Sequence, residues 1–181
     1  MERSRELHQN HAYRFQATQE LNWATSYDHI LCNSQFSRES ILRAYGLDSH
    51  VCYLGIDSEQ FRPLERAKTS LVVGVGSIYY GKRFKASIMA IPSIPKLVRQ
   101  MFLWIGIFAD VWYRRYTIEL AQQHDVNLEV KELVSDQDLQ NAMSEAACFI
   151  YTPQLEPFGL TLLGANACGT AVVAIGEGGV R

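Results

Sequence analysis

Three features of the chain predict an α/β fold. From Ser70 onward, short apolar runs alternate with longer helical patterns, in the order β-α-β-α-β-α-β-α-β. Several of the runs are β-branched and apolar on successive residues, as strands covered on both faces must be. The intervening stretches are far longer than hairpin turns and have the length of crossover helices. Together these features predict a Rossmann-like parallel sheet with helices on both faces.

The elements follow in order. Residues 5–26 set Leu7, His11, Phe15, Leu21 and Trp23 among polar residues, the pattern of a moderately amphipathic helix. His8 and His11 share one face, but no second pair of ligands accompanies them, so they read as surface histidines rather than a metal site. His29–Asn33 is strand-like. Ser34 offers a cap to a helix from about Phe36 to Tyr45, and Gly46 suits its end. Val51–Leu54 is a second short strand, after which Gly55, Ile56, Asp57, Phe61 and Pro63 lead into a polar linker, Glu65–Thr69. The five strands expected next are Leu71–Val75, Met101–Ile105, Leu128–Glu132, Cys148–Thr152 and Ala171–Ile175.

Helices are expected near Phe84–Ile91, Val111–His124, Asp136–Ala147 and Phe158–Cys168. Pro92 and Pro95 cut the first of these short. Ser135 caps the third, whose buried face carries Leu139 and Met143. Pro157 suits the first position of the fourth, and Gly169 its C-terminal end. Glu156 then stands at a helix N-terminus, where free N–H groups and the helix dipole favour an anion such as phosphate. A glycine turn, Gly176-Glu177-Gly178-Gly179, follows the last strand.

Composition narrows the class. In 181 residues, 48% are hydrophobic and 20% charged, which suits a globular protein. A formal charge of -2 argues against nucleic acid as a partner. Cys32, Cys52, Cys148 and Cys168 form no C-x-x-C pair and read as reduced thiols. The longest apolar run, Met101–Ala109, is shorter than the ~20 residues of a membrane-spanning helix, so no transmembrane segment is expected. The opening residues carry no hydrophobic signal region. A cytoplasmic setting is expected, including the peripheral face of a membrane. Gly74-x-Gly76 follows a strand, but the third glycine of a dinucleotide fingerprint is replaced by Tyr79, which argues against NAD. Lys82, Arg83, Lys85, Lys96 and Arg99 read as a solvated, weakly basic face.

Two ordered strings, E-x-F-G at Glu156–Gly159 continued by A-x-A-x-G at Ala165–Gly169, and Y-L-G-I-D-x-x-x-F-R-P at residues 53–63, resemble the family 4 retaining glycosyltransferases of two-domain GT-B architecture. In the first, Glu156, Phe158, Gly159, Ala165, Ala167, Gly169, Val172, Val173 and Ala174 match that family's signature string around its two glutamates. The second glutamate is Gly164 here, and the proline before Val172 is Ala171. In the second stretch, N-S-x-F-S-R, Y-G and Y-L-G-I-D-x-x-x-F-R-P over residues 33–63 resemble the crossover between the family's domains. The resemblance implies three parts. Residues 1–34 would be the tail of an acceptor-side domain, 35–69 the crossover and linker, and 70–181 a truncated, incomplete donor-nucleotide-binding half.

The activity implied is transfer of a hexosyl group, with retention, from a nucleotide-diphosphate sugar to a sugar, glycan or lipid-linked acceptor, with no cofactor. Catalysis there requires fixing the sugar and stabilising the charge of the departing diphosphate. By resemblance Glu156 contacts the donor sugar; the helix N-terminal N–H groups near Gly159, Leu160 and Thr161 suit the departing diphosphate, and Phe158 is a further substrate-binding candidate. Lys82 matches the family's phosphate lysine, with Arg83 as its neighbouring alternative. Ser77 stands where the family's arginine would be, so diphosphate binding should be weaker. The loop Leu133-Val134-Ser135 is expected either to border the nucleobase, through main-chain groups near Val134, or to serve simply as a strand-to-helix turn. Gly164 lacks the carboxylate that would hold the ribose, and mid-helix it costs ~1 kcal/mol against Ala. The alternative is a catalytically inactive fragment or pseudoenzyme with weak nucleotide binding. A sugar-nucleotide epimerase of the same architecture fits the motifs less well.

Overall fold

The computed structural model describes residues 2–95 and 101–181, with side chains from residue 10 onward. Lys96 and Arg99 of the expected basic face, and the side chain of His8, lie outside the described residues. The chain forms two compact units, Met1–Tyr53 and Leu54–Arg181.

The first unit contains α1 (Glu2–Ala24), β1 (Leu31–Cys32), α2 (Gln35–Tyr45) and β2 (His50–Val51), with β1 and β2 paired in parallel. Both ends of α2 are set by local chemistry. Ser34 Oγ accepts from the Ser37 N–H at 3.0 Å, and Gly46 closes the helix at φ 69. Arg38 grips Asp48 with two nitrogens, at 3.0 and 3.3 Å. The Ser49 N–H, followed by Arg38, holds the Asp48 carboxyl below its ordinary pKa. The expected first helix forms, but its aromatic residues Tyr13, Phe15 and Trp23 remain mostly exposed.

The second unit is built on one parallel sheet. Its strands are β3 (Leu71–Val75), β4 (Met101–Gly106), β5 (Leu128–Glu132), β6 (Cys148–Tyr151) and β7 (Ala171–Ala174), in the spatial order β5-β4-β3-β6-β7. The expected bounds of β3 and β5 agree end to end, and the other strands end within one residue of expectation. Between the strands run α3 (Phe84–Ala90), α4 (Val111–Gln123), α5 (Asp136–Glu145) and α6 (Leu160–Ala167). Ser135 caps α5 as expected, accepting from the Asp138 N–H at 3.1 Å.

Strand alternation sorts the core onto two faces. Val73, Leu103, Ile105 and Phe149 point to one side and pack with Met143 of α5 and Leu162 and Ala165 of α6. Val72, Phe102, Trp104 and Ile150 point to the other and pack with Phe84 and Ile88 of α3 and Leu120 and Ala121 of α4. The fully buried rings Phe84 and Phe102 each contribute roughly 1.5–3 kcal/mol of hydrophobic stabilisation.

One expected boundary is corrected. The last helix does not begin at Phe158 with Pro157 in its first turn; α6 begins at Leu160, behind Gly159 in the left-handed region at φ 87. Long-range packing explains the shift. The Gly179 N–H donates to the Glu156 carbonyl at 2.8 Å, and a β-carbon at 179 would stand 1.9 Å from the Pro157 carbonyl oxygen. The glycine turn therefore holds residues 155–159 as a loop. Glu156 lies before α6 and does not cap it.

Candidate functional site

The sheet order makes β3 the point where the chain changes direction: β4 and β5 lie to one side, β6 and β7 to the other. In open parallel sheets such a point leaves a crevice beyond the carboxyl ends of the two central strands. Here that crevice is bordered by the loops that follow β3 and β6.

The loop after β3 is anchored from beneath. Ile78 is fully buried, its N–H donates to the Phe108 carbonyl at 2.7 Å, and its own carbonyl accepts from Asp110 N–H at 2.8 Å. Trp104 Nε1 donates to the Gly76 carbonyl at 2.7 Å. The indole passes so close to β3 that a β-carbon at Gly74 would be 2.6 Å from it. Gly74-x-Gly76 thus accommodates a buried tryptophan. A tight turn at Tyr80–Lys82 follows, ending at Arg83 with φ 53.

The loop after β6 is tied to the first. Thr152 Oγ1 donates to the Arg83 carbonyl at 3.1 Å and shares a 2.7 Å hydrogen bond with Ser87 Oγ. These ties bring Lys82 Nζ to Glu156 Oε2, to which it donates at 2.8 Å. The two side chains retain only 26% and 19% exposure, so their attraction is less screened than at an open surface. Burial, then the nearby Glu156 carboxylate, pushes the Tyr151 phenol well above its ordinary pKa. Thr161 Oγ1, next to the Tyr151 phenol, is shielded from solvent and among the described residues makes no hydrogen bond of good geometry. The residue before α6 is Gly159, which has no side chain to cap it, so the first N–H groups of the helix are a favourable environment for negative charge.

The residues singled out in the sequence do not all gather in one place. Lys82, Glu156 and the α6 start (Gly159, Leu160, Thr161) come together around the crevice. Ser77 is half-buried in the β3 loop, and its carbonyl accepts from Tyr79 N–H at 3.1 Å. Phe158 is half-buried just before α6, and Val134 packs partly against the core behind the exposed Leu133. Arg83 departs from Lys82: it lines a separate cleft with Tyr80, Lys85, Tyr113 and Gln154.

Gly164 is buried in α6. A β-carbon there would stand 3.3 Å from Ile56 Cδ1, 3.6 Å from Met143 Sδ and 3.7 Å from Phe61 Cδ1. Its surroundings are apolar, and the linker residues Ile56 and Phe61 occupy them. Tyr151, Thr152 and the Gly178–Gly179 pair were not picked out as parts of the site. The glycine pair was visible as a turn, but not the backbone it would press against. A larger cleft of about 700 Å³ lies along α4 and the end of β5. Its charged groups are already paired, Arg114 with Glu132 at 2.8 Å and Arg115 with Glu119 at 3.0 Å. Among the described residues, no cluster of three or more His, Cys, Asp or Glu is placed to hold a metal ion, and no helix is long and apolar enough to cross a membrane.

Comparison with known proteins places this arrangement. Similar solved structures include a sucrose-phosphate synthase from Thermosynechococcus elongatus (TM-score 0.78, 22% identity, 93% of this chain and 45% of that one). Anabaena HepE, solved in complex with UDP and glucose, gives a TM-score of 0.75 at 19% identity, over 90% of this chain and 48% of that one. TarM gives 0.72 at 17% identity, over 89% of this chain and 32% of that one. The chain thus spans half or less of the length of these three structures. No curated protein matches it in sequence. At these identities the structural likeness establishes the fold, that of the C-terminal half of GT-B glycosyltransferases. The model of the glycosyl transferases group 1 family matches residues 55–181, most of the chain and the whole parallel sheet, and the chain belongs to that family.

Proposed function

We propose that the chain is the donor-binding half of a retaining, family 4 hexosyltransferase that takes its sugar from a nucleoside diphosphate. The observation that carries this reading is the Lys82–Glu156 ion pair at the crevice between β3 and β6. A lysine and a glutamate far apart in sequence meet where a donor's diphosphate and sugar would lie. Thr161 Oγ1, shielded from solvent beside the Tyr151 phenol, supplies a further donor for a phosphate oxygen. A diphosphate arriving at Lys82 would compete for its ammonium and release Glu156 to accept hydrogen bonds from a donor-sugar hydroxyl. Lys82 and the first N–H groups of α6 would then stabilise the charge that grows on the leaving diphosphate. Ser77 contributes at most a neutral hydrogen bond, which argues for modest affinity.

In this reading residues 1–34 belong to an acceptor-side domain, 35–69 to the crossover and 70–181 to the donor domain. UDP is the first nucleotide to try, since HepE was solved with UDP and with UDP-glucose. The acceptor would be a sugar, a glycan or a lipid-linked sugar, met in the cytoplasm or at a membrane face. One observation favours the inactive alternative: Gly164 has no carboxylate, and Ile56, Phe61 and Met143 fill the space around it.

Calorimetry with UDP, GDP, ADP and NAD tests the reading. We expect one nucleoside diphosphate to bind, NAD not to bind, and Lys82→Met to weaken binding at least tenfold. No heat with any nucleotide, from protein whose Trp104 emission is native, would leave the inactive reading.

A further inference from the structure

Lys82 and Arg83 are adjacent in sequence, but the left-handed backbone at Arg83 sends their side chains to different places. Lys82 meets Glu156. Arg83 lines a cleft of about 350 Å³ with Tyr80, Lys85, Met89, Tyr113 and Gln154. That volume lies at the small end of the roughly 300–1,000 Å³ typical of small-molecule sites.

The chemistry of the cleft is one-sided. Two cations line it and no carboxylate does. Among the described residues, neither Arg83 nor Lys85 forms an ion pair. Lys85 Nζ stands 5.5 Å over the Tyr116 ring, and that phenol favours its charged form. The Lys85 N–H donates to the Tyr113 hydroxyl at 3.2 Å, and Tyr80 meets Tyr113 edge to face at 6.5 Å. The walls are therefore organised aromatic rings, and Tyr80 leaves 83% of its surface free. Gln154 adds an amide, able both to donate and to accept. The cleft also adjoins the crevice: Gln154 precedes Glu156 by two residues in the same loop, and Arg83 follows Lys82.

We propose that this cleft binds a phosphorylated sugar. The phosphomonoester is held by Arg83 and Lys85, and the ring lies against Tyr80 with its hydroxyls toward Gln154. A guanidinium matches a phosphate with two parallel hydrogen bonds, and a second cation suits its second negative charge. An aromatic face is a common seat for the C–H surface of a sugar ring, which is apolar where the hydroxyls are not. Binding of such a ligand stands on the cleft alone. Its role as acceptor, reached from the neighbouring crevice, rests on the function proposed above.

Calorimetry with glucose 6-phosphate, glucuronic acid, inorganic phosphate and glucose, each in turn, tests the proposal on the whole chain. Glucose 6-phosphate should bind more tightly than inorganic phosphate or glucuronic acid, and glucose should not bind detectably. Arg83→Gln should weaken glucose 6-phosphate at least tenfold, and Lys85→Gln should do so independently, with native Trp104 emission in both. Lys82→Met should leave glucose 6-phosphate binding unchanged while weakening the nucleotide. No binding of glucose 6-phosphate by folded wild-type chain, or binding indifferent to Arg83→Gln, overturns the proposal. So does preference for glucuronic acid. A chain that binds glucose 6-phosphate but no nucleotide would sink the donor reading and keep the cleft, and the converse would do the opposite.

Discussion

Gly74→Ala should strike the support of the candidate site without touching the site itself. The new methyl carbon would stand 2.6 and 2.7 Å from two carbons of the Trp104 ring and 3.4 Å from the Ile150 carbonyl oxygen. Carbon atoms rest at about 3.5–4.0 Å, so the ring must retreat by roughly 1 Å. It has little freedom to do so. It is stacked on Phe84 at 4.3 Å, donates to Gly76 at 2.7 Å and is only 1% exposed. Overpacking of this kind costs about 1–3 kcal/mol, and losing the indole hydrogen bond adds about 1 kcal/mol. A total near 3 kcal/mol corresponds to a fall in melting temperature of roughly 6–12 °C. Urea unfolding followed by tryptophan emission isolates the effect, because Trp23 and Trp112 are 60% and 79% exposed and only Trp104 reports a buried environment. Adding Trp104→Phe should recover part of the loss. A change below about 0.5 kcal/mol with unaltered emission would refute the argument that Trp104 dictates glycine at 74.

Other tests reach different parts of the molecule. Gly179→Ala drives a methyl group into the Pro157 carbonyl. Amide exchange across residues 155–160 should accelerate at least tenfold, and unchanged exchange would dissociate the glycine turn from the Glu156 loop. Tyr151 is held protonated above the ordinary tyrosine value of about 10 by burial and by Glu156. Above that pH the unfolded chain loses a proton that the folded chain keeps, so stability falls as pH rises further. Tyr151→Phe should make this alkaline loss shallower, read as the urea midpoint between pH 8 and 10.5; Tyr113, also raised by burial, continues to contribute. Ser34→Ala removes the hydroxyl that accepts from the Ser37 N–H and should cost α2 about 1 kcal/mol, measured by circular dichroism during unfolding.

The sequence exposed what local chemistry decides. β3 is an apolar run between Ser70 and Gly76, and its ends follow from those neighbours. The caps at Ser34, Gly46 and Ser135 are settled within a few residues and read the same way in both views. Three features were hidden, two of them because their causes lie far along the chain. Pro157 is a good first helical residue, but Gly179 holds its backbone in a loop, and helix propensity yields to that contact. Gly164 reads as a missing carboxylate until Ile56 and Phe61 are seen against it. Lys82 and Arg83 read as one basic doublet until the positive φ at Arg83 separates them. Glu156 and Lys82 were legible as candidates from their motifs; their meeting at 2.8 Å was not.

The strand order also carries a kinetic meaning. β3 and β4 can pair as soon as both have been made, and β5 can extend that ribbon. From β5 the chain must return past β4 and β3 to set β6 on the other side of β3. Lys82 and Glu156 are 74 residues apart, and they meet only after this return. Contacts of such long sequence separation are entropically late and slow. Until β6 docks, one whole edge of β3 is open, with Val72 and Val73 lacking their partners Cys148 and Phe149. A chain emerging from the ribosome therefore passes through a stage with half a sheet, an unpaired apolar edge and no crevice. The ion pair closes as the sheet is completed, so its formation in a refolding experiment marks the end of assembly rather than its beginning.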